Sequence, residues 1–182
     1  MAETILIRKP TAPPAAQVSA PTFTVGRPLA GLKAGIRKDR AWRSWQLIAE
    51  IWAAYLRRDG AADVMSVETL SQVGEAGAAD RRHVDDLAAA TDFAIVGLGT
   101  CGSCTSFAIA DAVAVERHQK PVIAIVAEEF ATHGRRVAAH LGHHDLKVLV
   151  LPYPLEARPE DELRRIADEY YPQALALLGV TR

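Results

Sequence analysis

The sequence predicts an α/β domain built on a five-stranded parallel sheet, and three observations carry that prediction. Five strand-like runs alternate strictly with five helical ones. Such alternation makes right-handed βαβ units and a sheet covered on both faces. The runs at 92–98 and 121–126 are continuously apolar, as strands buried on both faces are. The chain has 182 residues, 49% hydrophobic and 24% charged. That is length for one domain with one core, and the composition of a folded chain rather than a disordered one.

Residues 1–30 stand apart. Pro10, Pro13, Pro14, Pro21 and Pro28 interrupt any helix there. The stretch reads as an extended arm, either a loose tail or a strap over a neighbouring subunit. Residues 31–182 read as the single α/β domain. Its first strand is 32–37. Next comes a helix at 42–58, with Trp45, Ile48, Trp52 and Tyr55 at three- and four-residue spacing and Asp59-Gly60 ending it. The second strand is 62–67 and the second helix 79–90. The third strand, 92–98, runs into a helix at 103–118. The fourth, 121–126, leads to a helix at 128–141 closed by Gly142. The fifth strand is 146–151. Pro159 falls where a first-turn proline belongs, before the acidic Glu160, Asp161 and Glu162 that favour a helix N-terminus. Pro172 is expected to kink or split that last helix.

For five parallel strands the common order is 2-1-3-4-5, a flavodoxin-like three-layer domain with its switch point between strands 1 and 3. Ligands bind beyond the carboxyl ends of the strands there. Topology alone therefore selects the loop after strand 1 and the loop after strand 3.

The second of these loops carries both cysteines of the protein: Gly97-Leu98-Gly99-Thr100-Cys101-Gly102-Ser103-Cys104-Thr105. The glycines let backbone approach a ligand. The helix after the loop offers free N–H groups and a positive dipole end, which lower the pKa of a thiol placed there. Cys101 and Cys104 lie about one turn apart and can face each other. One thiolate attacks and the other resolves in the redox use of this spacing. Ser103 and Thr105 cap the helix or donate to an oxyanion. Gly99, Thr100 and Gly102 are the expected substrate-cradling backbone.

Three other readings stand beside this one. The cysteines are ordinary small buried residues; or they ligate a metal, with His133 the favoured third ligand among His133, His140, His143 and His144; or Gly97-x-Gly99-x-x-Gly102 binds a dinucleotide phosphate. Against the last, no acidic residue clearly ends the next strand.

The first loop reads Arg37-Lys38-Asp39-Arg40-Ala41-Trp42-Arg43-Ser44. Arg37 or Arg43 is expected to clamp a substrate carboxylate and to lower a neighbouring thiolate's pKa. Asp39 caps the helix or acts as a base; the alternative is a solvated charged turn. Trp42 and Trp45 belong to the core or stack on a ligand. At the end of strand 4, Glu128 and Glu129 are helix-dipole partners or acid–base candidates, and Phe130 a substrate contact.

The stretch 99–105, after an apolar strand opened by Asp92, resembles the UGSC-motif proteins. The Pro-rich arm, Leu29-Ala-Gly-Leu-Lys33, Asp111-Ala112, Glu116 and Pro121-Val122 are also similar, so the resemblance runs across most of the chain. In that family the first motif position is selenocysteine in some members and cysteine in others. This implies that Cys101 stands where a chalcogen reacts. The family is in turn similar to selenocysteine-bearing reductases of small amino acids and amines, which cleave a carbon–heteroatom bond. Tyr153-Pro154 departs from the His-Pro expected in relatives, which bears on any histidine role there. A looser resemblance is to cysteine-based aspartate/glutamate racemases. Those set two thiols on opposite faces of the substrate, whereas here both lie on one turn.

The resulting expectation is a cysteine-dependent oxidoreductase or lyase. Cys101, with Cys104, cleaves a carbon–heteroatom bond in a small, anionic substrate. The alternative is a metal-binding or accessory subunit whose cysteine pair holds a metal or docks a redox partner. No organic cofactor is expected, and a metal is the one candidate. Expected partners are a thiol or electron-donor protein and a second subunit, in a homodimer or hetero-oligomer. The net charge of −1 argues against a globally basic nucleic-acid binder. No apolar run reaches the roughly 20 residues of a membrane span. With no apolar leader in the first residues, the expected compartment is a reducing cytoplasm.

Overall fold

In a computed structural model of the chain, which describes residues 19–70 and 73–181, a five-stranded, all-parallel sheet lies between two helical layers. The strands are β1 (Lys33–Lys38), β2 (Asp63–Glu68), β3 (Phe93–Gly99), β4 (Val122–Ala127) and β5 (Val148–Leu151). Their order is β2-β1-β3-β4-β5. Helices α1 (Arg43–Arg58), α2 (Gly74–Ala90), α3 (Gly102–Arg117), α4 (Ala131–His140) and α5 (Glu160–Leu178) pack on its two faces.

The alternation of side chains along each strand divides the core in two. Phe93, Ile95, Ile123 and Ile125 face α1 and α5. Ala94, Val96, Ala124 and Val126 face the other way, toward α2, α3 and α4. The first layer is the bulkier. Trp45 and Trp52, both fully buried, meet edge to face at 5.7 Å. The indole N–H of Trp52 donates to the carbonyl of Ala167 at 2.9 Å, tying α1 to α5. Truncating such a residue costs about 3–5 kcal/mol.

The structure corrects several element boundaries. α2 starts at Gly74, five residues before the expected 79; Gly74 and Gly77 hide its first turn, because glycine is a weak helix former. The expected helix 128–141 opens as a single 3-10 turn, Glu128–Phe130, before α4. Pro172 does not split α5, which is one helix. Tyr171, Ala174 and Leu175 anchor both sides of the proline in the core, so packing outweighs the lost backbone bond. Pro159 is the N-cap of α5 rather than its first residue.

Residues 19–28 lie along their own chain. The N–H of Ala20 donates to Gly142 O and that of Val25 to Leu178 O, both at 2.8 Å. Lys147 Nζ donates to Phe23 O, and Pro28 bridges Thr181. The part of the expected arm at 1–18 lies outside the described residues.

Candidate active site

The site is built where β3 is broken. Val96 pairs with Ala124 and Gly99 with Val126, so Gly97-Leu98 inserts one residue more than β4 has opposite it. A bulge of this kind bends a strand and re-aims the residues beyond it. The Gly97-Leu98 peptide is cis, and the N–H of Asp39 donates to Gly97 O at 2.8 Å. A Cβ on Gly97 would lie 2.9 Å from Trp45 Cε2, and one on Gly99 2.9 Å from Thr105 Cα. These two glycines are thus used by internal packing, against the indole on one face and α3 on the other. Gly102 stands in open space.

Cys101 is the N-cap of α3. Its Sγ accepts the N–H of Cys104 at 3.0 Å. Cys101 and Cys104 are joined as a disulfide, their Cα atoms 5.2 Å apart. Ser103 Oγ lies 3.5 Å from Cys101 Sγ. Thr105 is buried, and its hydroxyl donates to Cys101 O at 2.6 Å. This corrects the expectation for Thr105: its hydroxyl pins the loop and is not offered to an oxyanion. Thr100 and Cys101 are half-buried, while Gly102 and Ser103 are exposed at the rim.

A residue missed in the sequence joins this rim. Ser106 Oγ donates to Gly102 O at 3.0 Å and lies 3.0 Å from His133 Nε2, which is itself 3.1 Å from Gly102 O. His133 reaches from α4 to the start of α3. The only signal for Ser106 was its place one turn after Gly102.

The charged loop after β1 departs most from expectation. Arg37 is fully buried. Its Nε donates to Asp111 Oδ2 at 3.0 Å, its Nη1 to Glu68 O at 2.9 Å, and its Nη2 to Asp80. Arg37 therefore does not clamp a substrate carboxylate; strand alternation sends it under α2 and α3, where two internal carboxylates hold it. Arg43 points along the surface, with Nη2 3.7 Å from Glu160 Oε2. The carboxylate that α1 receives is internal. Glu156, from the segment after β5, accepts the N–H of Arg43 and of Ser44, each at 3.1 Å. Asp39 is not the cap of α1, whose N-cap is Trp42; Asp39 Oδ1 accepts the N–H of Ala41 at 2.9 Å. Trp45 is core and Trp42 half-buried against it.

Beyond β4, Glu128 and Glu129 are exposed. Phe130 meets Tyr153 edge to face at 5.9 Å. His143, just after α4, is buried and holds Glu116 at the C-terminal end of α3, Nδ1 to Oε2 2.6 Å.

Beside Cys104 lies a crevice too narrow for a water molecule, lined by Asp39, Thr69, Gly97, Cys104, Ala108 and Asp111. Burial holds the carboxyl of Asp39 above its ordinary range, against the Ala41 N–H and the charges of Arg37 and Arg40. Burial raises Asp111 likewise, and Asp80 and Asp39 add to it, against Arg37. Among the described residues no group of three His, Cys, Asp or Glu side chains is disposed to hold a metal ion. The set Cys101, Cys104 and His133 is not assembled: the sulfurs are bonded to each other and His133 turns to Ser106.

A flavodoxin-like α/β domain with a cysteine pair capping the helix after its third strand is the class of protein that fold and site define. The model of the UGSC family matches residues 6–180, nearly the whole length, and the chain belongs to that family. Comparison with curated proteins gave no match. Among the described residues no helix is long and apolar enough to cross a membrane.

Proposed function

We propose that the chain is a thiol-dependent enzyme that reductively cleaves a carbon–heteroatom bond in a small anionic substrate. The observation that carries this reading is the place of Cys101 Sγ, at the N-cap of a 16-residue helix and accepting the Cys104 N–H at 3.0 Å. The same donor and dipole stabilise a thiolate once the disulfide is reduced.

In the proposed cycle the Cys101 thiolate attacks the carbon bearing the heteroatom. A carbon–sulfur bond forms, and the heteroatom leaves with the bonding pair and takes a proton. The Cys104 thiolate then attacks the Cys101 sulfur. The disulfide forms, the carbon–sulfur bond breaks, and the carbanion, stabilised by an adjacent carboxyl or carbonyl group, takes a proton. Net, carbon–heteroatom becomes carbon–hydrogen and two thiols become a disulfide. A dithiol donor returns the disulfide to the reduced state. Ser103 beside the Cys101 sulfur and the rim backbone at Thr100 and Gly102 contact the substrate; Arg43, Glu128 and Phe130 line its approach. The cycle belongs in a reducing cytoplasm, with a second subunit closing the open side of the site.

The test uses the reduced Cys104→Ser variant, whose one thiol is Cys101. Its alkylation by iodoacetamide is tracked against pH by intact mass. The expected midpoint lies at least about one unit below the ordinary cysteine value of about 8.5. A midpoint at that ordinary value overturns the reading.

A further inference from the structure

Two carboxylates hold one buried guanidinium, and a third carboxylate lies with one of them along the crevice beside Cys104. Asp80 and Asp111 bond Arg37 directly, and Asp39 lines the same crevice as Asp111 and Cys104. One buried cation offsets one of these three charges. Burial disfavours the charged form of Asp39 and of Asp111, so each holds a proton above the ordinary carboxylate range. Asp39 has the best position to exchange it. Its backbone is fixed to Gly97 O, one oxygen takes the Ala41 N–H, and it lines the crevice that Cys104 also lines. The hydrogen bond that stabilises a Cys101 thiolate comes from the backbone N–H of Cys104; the thiol of Cys104 has no such donor to its own sulfur among the described residues.

We propose that Asp39 takes the proton of the Cys104 thiol when Cys104 resolves the bond to Cys101, and returns it when the disulfide is reduced, with Asp111 as the positioning residue that sets when Asp39 is free to do so. This rests on the thiol reading above. The step balances: Cys104 S–H and Asp39 carboxylate become Cys104 thiolate and Asp39 carboxylic acid. The thiolate then forms the disulfide and expels the group bound to Cys101. The charged groups facing Asp39 are Arg37 and Arg40, with Asp80 and Asp111 behind. Arg81 lies along the outer wall of Asp111.

The experiment needs no substrate. Reduced protein is mixed with 5,5′-dithiobis(2-nitrobenzoic acid), which releases one coloured thiolate when Cys101 attacks and a second when Cys104 resolves. In the wild type the second phase is expected to rise as Asp39 loses its proton, well below the ordinary thiol midpoint of about 8.5. In Asp39→Asn it slows relative to the first phase by about 100-fold at pH 7, the lower end of a general base's contribution, and recovers only near the thiol midpoint. Asp39→Glu restores the acid limb. Asp111→Asn moves that limb to lower pH, because a like charge is gone; a purely structural role would leave it in place. If Asp39→Asn fails to fold, as its melting curve shows, Asp39→Glu and the wild-type profile carry the test. A wild-type second phase centred on about 8.5, or one unchanged in Asp39→Asn, overturns the proposal. Loss of Cys101 with the first phase unchanged overturns the thiol reading instead.

Discussion

Replacing Arg37 with methionine tests the largest departure between the charged loop in the sequence and its place in the fold. The guanidinium is 1% exposed and makes three contacts: Asp80, Asp111 and the carbonyl of Glu68. Asp80 is 4% and Asp111 13% exposed. Methionine fills much of the volume and removes the charge; Asp111, Asp80 and the Glu68 carbonyl lose the guanidinium, while Asp80 keeps the Leu70 N–H at 2.9 Å. Breaking one partner out of a buried pair costs about 3–5 kcal/mol, mostly from the charge left behind. For a chain of this length that is a fall in Tm of roughly 6–20 °C. Urea unfolding at pH 7 should show it as a lower midpoint with an unchanged slope. The penalty should shrink toward pH 4, where Asp111, already held above its ordinary range by burial, takes a proton and needs no partner. Arg37→Lys keeps the charge but loses the fork, and falls between. A loss below about 1 kcal/mol, or one independent of pH, would refute the argument that Arg37 is held by its carboxylates.

Four further outcomes rest on single contacts. Gly97→Ala places a methyl 2.9 Å from Trp45 Cε2, and urea unfolding should show a loss of about 1–3 kcal/mol. Glu156→Gln keeps the shape but weakens the carboxylate at the N-terminus of α1; the loss should be about 1 kcal/mol and should fade in high salt. Reducing the disulfide, whose cysteines are three residues apart, should cost at most about 2 kcal/mol by loop entropy, so the reduced protein stays folded by circular dichroism. Glu116 is held above its ordinary 4.5 mainly by burial, against His143. The native state then keeps that proton to higher pH than the unfolded chain does, so this group's contribution falls as pH rises from 4.5 through the raised value. Stability of Glu116→Gln should be flatter across that window.

The sheet order was legible because alternation and apolar continuity leave few parallel arrangements, and it placed the cysteine loop at the switch point with no chemical input. The caps were less legible. Glu156 serves α1 from beyond β5, 112 residues from Ser44, and no local pattern announces such a partner. Arg37 was misread for a related reason. Within a run of cations it looks solvated, and only its place on the inner face of β1, opposite Asp80 and Asp111 on two different helices, makes it a core residue. Gly97 and Gly99 match a phosphate-binding spacing, yet Trp45 and Thr105 account for their missing side chains. His143, beside Gly142 in a short turn, gave no sign of its buried partner Glu116.

The same residues now separate what holds the domain from what reacts. Trp45, Gly97 and Arg37 fix β1 and β3 side by side, and the bulge at Gly97-Leu98 lifts the chain so that Cys101 lands at the start of α3. Thr105, through its hydroxyl on Cys101 O, keeps the loop in place from below. Ser103, Ser106 and His133 remain on the rim. A change to the lower group should therefore lower stability and move the cysteines together, whereas a change to the rim should alter sulfur reactivity with little effect on unfolding. Asp39 belongs to both groups. It is bonded to the β3 bulge through its backbone and lines the same crevice as Cys104. Its substitution is the case in which a change of reactivity must be read beside a melting curve. For the same reason, the cluster of Arg37, Asp80 and Asp111 links the stability of the sheet to the protonation of the site above it.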